Sequence, residues 1–121
     1  MTKSKKVLVV DDSIVDLQNL KGILEDAGYS VITASSGREA YEKAKNNHPG
    51  LILMDVVMDD VDGFEACRTI TSDKETGDIP VVFVTSKNQK ADHVWGKLQG
   101  GKGMISKPYS PDQILDKIAE L

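Results

Sequence analysis

Three stretches of this chain are apolar at every position and too short to be helices: Val7–Val10, Leu51–Met54 and Pro80–Val84. Runs of that kind must be buried on both faces at once. Strands in the middle of a parallel sheet, covered by helices above and below, meet that demand. Two weaker runs, Ser30–Ala34 and Gly103–Ile105, bring the expected strands to five.

Five amphipathic stretches lie between and after these runs. In the first, Ile14, Leu17, Leu20, Ile23 and Leu24 recur at three- and four-residue intervals and predict one buried helical face. Gly28 then ends that helix. The second runs from about Gly37 to Asn46 and stops at His48-Pro49. The third follows Gly63, and the fourth covers Lys90 to Leu98. The fifth starts at Pro111, with Ser110 as N-cap. Five strand-then-helix units predict an α/β fold, a doubly wound five-stranded parallel sheet with right-handed crossovers. The order 2-1-3-4-5 is the one expected. Ligands then bind beyond the carboxyl ends of the strands, between strands one and three.

A length of 121 residues suits one domain and is too short for two. The expectation is a single domain over residues 1–121 with no output domain, since the fifth helix runs out at Leu121. Hydrophobic residues at 40% and charged residues at 28% are ordinary for a globular protein. A formal net charge of −4 argues against nucleic-acid binding, whose affinity comes from Lys and Arg on phosphates. Cys67 is the only cysteine, so no intrachain disulfide can form, which suits a reducing cytosol. The basic start at Met1 is followed by too short an apolar run for a signal peptide, and no run approaches a membrane span. A cytoplasmic location is expected.

The chemistry gathers at the strand ends. Strand one ends in Asp11-Asp12 and strand three in Asp55. In the expected fold these carboxylates converge, repel and call for a hard divalent cation. For Asp11-Asp12 alone, helix capping by Asp12 or Ser13 and a functional role weigh equally; Asp55 at the matching position of strand three tips the balance to function. Strand four ends in Thr85-Ser86, where an N-cap or a hydroxyl turn is the stronger reading of Thr85 taken alone. Strand five ends in Lys107-Pro108. A lysine there is ordinarily a surface residue, but aimed at an acidic cluster it is the natural counter-charge for a phosphoryl group. Lys107 is expected to serve a phosphorylated state more than the fold.

The set Asp11, Asp12, Asp55, Thr85 and Lys107 resembles the conserved quintet of response-regulator receiver domains. VLVVDDS, LILMDVVM, DGFEACR, IPVVFVTS and ISKP fall in that family's order over essentially the whole chain. The resemblance implies a flavodoxin-like receiver fold, with Asp55 as phosphoacceptor. It implies Mg²⁺ on Asp12, Asp55 and the backbone carbonyl of Val57, with Asp11 reached through water. Thr85 and Lys107 would hold phosphoryl oxygens, and the Lys107–Pro108 bond would be cis. The implied partners are a sensor histidine kinase or histidine phosphotransfer domain and a downstream protein. The latter would dock on the face of helix four, strand five and helix five. Neither nucleic acid nor membrane is implied. Such a domain catalyses only its own phosphoryl transfer and dephosphorylation. Within the family, the segment from Ile79 to Pro108 is similar to the single-domain regulators of twitching motility.

Three positions depart from the family. Asp59 replaces the usual proline after the phosphoacceptor. Met104 stands in place of the aromatic switch residue, which predicts a graded response. Gly101 replaces alanine and predicts a flexible entry to strand five. Of the loop acids Asp59, Asp60 and Asp62, Asp62-Gly63 reads as a turn. A calcium loop aligned on Gly63 fails, because Met58 and Thr69 fall where carboxylates are required. An aspartate phosphatase needs Asp-x-Asp, and here Val57 occupies the second position. No phosphate-binding glycine motif follows strand one, which argues against a nucleotide module. Trp95 shares a stripe with Ala91, Val94 and Leu98 and is expected to be partly buried against the sheet. Cys67 reads as a small buried hydrophobe, and His48 and His93 as surface residues.

Overall fold

A computed structural model describes residues 5–58, 61–87 and 89–121. Asp59 and Asp60, with the departure expected at Asp59, lie outside the described residues. The strands are β1 (Lys6–Val10), β2 (Ser30–Ala34), β3 (Leu51–Met54), β4 (Val81–Thr85) and β5 (Gly103–Ser106). The helices are α1 (Ile14–Asp26), α2 (Gly37–Asn47), α3 (Gly63–Ser72), α4 (Lys90–Leu98) and α5 (Pro111–Ala119). All pairings are parallel, in the order β2-β1-β3-β4-β5. This is the expected doubly wound sheet. The last two strands run one residue further than their apolar patterns, to Thr85 and Ser106.

The three apolar runs occupy the middle of the sheet, and every residue of β3 and β4 is buried. Alternation along each strand divides the core in two. On one face Leu8, Val10, Ile52, Met54, Val81 and Phe83 pack with Ala40, Ala44, Phe64, Cys67 and Ile70 of α2 and α3. On the other, Val7, Val9, Leu53 and Val84 pack with Leu17, Leu20 and Leu24 of α1 and Ile114 of α5. Cys67 is fully buried as expected, and burial pushes its thiol up to about 12.

Local chemistry sets the ends of the helices. At the close of α1 the amide of Gly28 donates to the Glu25 carbonyl and that of Tyr29 to Leu24. Gly28 takes φ +94°, the left-handed conformation this closure needs. Ser110 caps α5 through the amide of Gln113, whose side chain returns to the Ser110 amide.

Two helical faces depart from expectation. Ile14 is 75% exposed, because the first turn of α1 stands beside the strand ends rather than over the sheet. The stripe on α4 also faces outward: Val94, Trp95 and Leu98 are 53%, 51% and 69% exposed. The helix docks instead through Gly96, its only fully buried residue. A side chain there would press on the rings of Phe83 and Phe64, which meet edge to face at 5.1 Å.

Candidate functional site

The backbone ladder continues past the strands and fixes the residues beyond them. The Asp11 amide donates to the Ala34 carbonyl at 3.1 Å, Asp55 to Val10 at 3.0 Å, and Lys107 to Thr85 at 2.9 Å. Three charged side chains are thereby set just past the ends of β1, β3 and β5. The loop after Asp55 is pinned by Gly63, whose amide donates to the Val56 carbonyl. A Cβ at position 63 would stand 2.1 Å from the carbonyl oxygen of Asp55, so only glycine lets α3 start this close to the end of β3. Asp62, read from sequence as a turn residue, is the N-cap of α3 and accepts from the Glu65 amide.

At the centre stands Lys107. Its ammonium donates to Asp11 Oδ2 at 2.8 Å, Asp16 Oδ2 at 2.9 Å and Asp55 Oδ2 at 3.1 Å. Asp11 and Asp55 are buried, at 5% and 8% exposure. Their other oxygens accept from backbone, Asp11 from the Ser13 amide and Asp55 from the Val57 amide. Burial pushes the Asp11 carboxyl up against the opposing pull of Lys107. Burial works against the charge of Lys107, but its bonds to the three carboxylates outweigh it and raise its affinity for the proton.

Of the six residues named from sequence, Asp11, Asp55 and Lys107 are in direct contact. Asp12 is exposed at the rim, and Val57 is 58% exposed on the loop. Thr85 is fully buried, and its hydroxyl accepts from the Lys87 amide at 3.1 Å. That is the hydroxyl turn anticipated for it; as acceptor in that bond, the hydroxyl keeps its own proton to donate. The α4 N-cap is Gln89. The Lys107–Pro108 bond is cis.

Asp16 is the residue sequence reasoning missed. It lies in the first turn of α1, directly after the Asp11-Asp12 strand end, so the fold brings its carboxylate to the same end of the sheet. That placement was the available signal. It was passed over because acids in a first helical turn are commonplace partners of the helix dipole.

Three carboxylates around one ammonium, with Asp12 at the rim, leave the site anionic. Among the described residues no three His, Cys, Asp or Glu side chains are gathered closely enough to hold an ion. Mg²⁺ asks for less: one or two carboxylates, with waters completing its shell. Asp12, Asp55 and the Val57 carbonyl offer only hard oxygens, and their chemistry fits such an ion.

Comparison with known proteins identifies the family. The family model for the response regulator receiver domain matches residues 7–119. The chain belongs to the response-regulator receiver family. This receiver is 40% identical over 113 residues to the protein PilH of Pseudomonas aeruginosa, covering 93% of each chain. It is 36% identical to the polar-differentiation response regulator DivK of Brucella ovis, over 98% of this chain and 94% of that one. Among solved structures, the chemotaxis protein CheY4 of Vibrio cholerae superposes with a TM-score of 0.92 at 34% identity, over 98% of both chains. The receiver thus has the CheY-like architecture expected from its residues, and among the described residues no helix is long and apolar enough to cross a membrane.

Proposed function

We propose that the chain is a phosphorylation-dependent switch of a two-component system that accepts its phosphoryl group on Asp55. One observation carries the reading: the buried Asp55 carboxylate ends β3 with the Lys107 ammonium 3.1 Å from Oδ2. A carboxylate so placed is a competent nucleophile toward a phosphohistidine. An Asp55 oxygen bonds to phosphorus as the phosphorus–nitrogen bond breaks, and that bond's electron pair stays on the donor's imidazole. The product is an acyl phosphate. Lys107 and the Thr85 hydroxyl then hold phosphoryl oxygens.

Asp12, Asp55 and the Val57 carbonyl would hold Mg²⁺, with Asp11 reached through water. The ion would supply screening of charge between carboxylate and phosphoryl group. The donor would be a sensor histidine kinase or a histidine phosphotransfer domain in the cytoplasm. Because Asp55 is regenerated in place and no separate substrate turns over, the chain is a switch rather than an enzyme. The surface of α4, β5 and α5 reads the change out to a partner protein. The likeness to PilH supports a role in the control of twitching motility.

Treatment of wild type and Asp55→Asn with acetyl phosphate and Mg²⁺, followed by intact mass, tests the acceptor. Wild type is expected to gain one phosphoryl group and the variant none; equal incorporation overturns the reading.

A further inference from the structure

A lysine ammonium has three protons to give, and on Lys107 three carboxylates take them. Two of these, Asp11 and Asp55, belong to the strand ends. The third, Asp16, comes from the first turn of α1. We propose that Asp16 is a positioning residue that competes with the phosphoryl group for Lys107 and so sets how tightly the acceptor site holds its load. The proposal rests on the reading of Asp55 as acceptor.

Before Lys107 can donate to a phosphoryl oxygen it must release one of its three partners. The side chains of Asp11 and Asp55 are 8% and 11% exposed, and that of Asp16 is 43% exposed. A buried carboxylate that loses its counter-charge cannot recover the loss from water, whereas a solvated one can. Asp11 is held further by the Ser13 amide. Loading turns the Asp55 carboxylate into the carrier of the phosphoryl group, so the carboxylates left to share Lys107 with it are Asp11 and Asp16, and the solvated Asp16 is the one that can yield. It also remains as an anion beside the arriving charge. Both effects favour the empty state.

The test titrates Mg²⁺ and beryllofluoride, a phosphoryl stand-in, and reads the bound anion directly by fluorine NMR. Asp16→Asn keeps the side chain's shape and removes its charge; Asp16→Ser, a residue suited to a first helical turn, serves if that variant does not fold. The charge-free variant is expected to bind beryllofluoride about fivefold more tightly than wild type, equivalent to about 1 kcal/mol, the upper range for a partly exposed ion pair. Asp16→Glu, which keeps the charge, is expected to stay within about twofold of wild type. In a Lys107→Met background the gain should shrink, because the competition runs through the ammonium and only the direct repulsion by Asp16 remains. Unchanged or weaker binding in Asp16→Asn overturns the proposal, and so does a gain that persists in full without Lys107. A melting temperature that falls while affinity stays constant shows a merely structural role and overturns it too. Wild type that binds no beryllofluoride defeats the acceptor reading itself, and the role of Asp16 with it. Wild-type binding that Asp55→Asn abolishes leaves that reading intact whatever Asp16 does.

Discussion

Lys107 joins carboxylates from β1, α1 and β3 to the end of β5. The sequence suggested a residue that serves a phosphorylated state more than the fold. Three short ion pairs argue the opposite. Lys107→Ala leaves three carboxylates facing one another without a counter-charge, and is expected to cost about 2 kcal/mol in urea unfolding of the metal-free protein. The sign of its pH dependence follows from the raised proton affinity of Lys107 in the folded state. The folded chain holds that proton more firmly than the unfolded one, so the stabilisation is fully present below the ordinary lysine value of 10.5 and fades as pH rises above it. The difference between wild type and Lys107→Ala should be constant through neutral pH and shrink in alkali. A gap that instead closes as pH falls from 9 toward 7 would refute the assignment.

Among the elements, α4 is one of two helices whose packing sequence periodicity misjudged. Its apolar stripe reads as a buried face only if glycine is ignored, and the contact is made by Gly96 against two phenylalanine rings. Gly101, expected to loosen the entry to β5, is there for the same ring. A Cβ at that position would lie 2.5 Å from Phe83 Cε2 and 3.0 Å from the Gly96 carbonyl. The ring of Phe83 thus occupies the space that a methyl group at 101 needs. Gly101→Ala is expected to destabilise by about 2 kcal/mol through overpacking. Phe83→Leu in the same chain should recover at least about 1 kcal/mol relative to the sum of the single changes. Additive losses in a double-mutant cycle would show that ring and glycine are independent.

At the scale of the molecule, the sheet was legible because strands buried on both faces leave no polar position, and Val7–Val10 and Leu51–Met54 show that directly. Asp11, Asp55 and Lys107 were legible because strand ends place them together whatever the loops do. Ile14 and Trp95 were misread because spacing gives a face but not what lies beneath it. Asp16 was missed because an acid in the first turn of a helix ordinarily reads as a partner of the helix dipole. The excess of acid at the strand ends also predicts linkage to a cation. Mg²⁺ at ten times its dissociation constant should add about 1.4 kcal/mol to stability. Asp12→Ala should remove most of that gain while changing metal-free stability by less than about 0.5 kcal/mol, since Asp12 is exposed. A thermal melt of wild type indifferent to Mg²⁺ counts against the site.

The thin attachment of α4 bears on how the chain breathes. A nine-residue helix with one buried residue surrenders little apolar contact when it lifts away. Its amides should exchange with solvent deuterium well ahead of those in β1, β3 and β4, through an opening much smaller than global unfolding. Protection in α4 equal to that of the central strands would show the helix to be locked to the sheet. A segment so near the edge of its own stability needs only a small push from the strand ends to change how long it stays down.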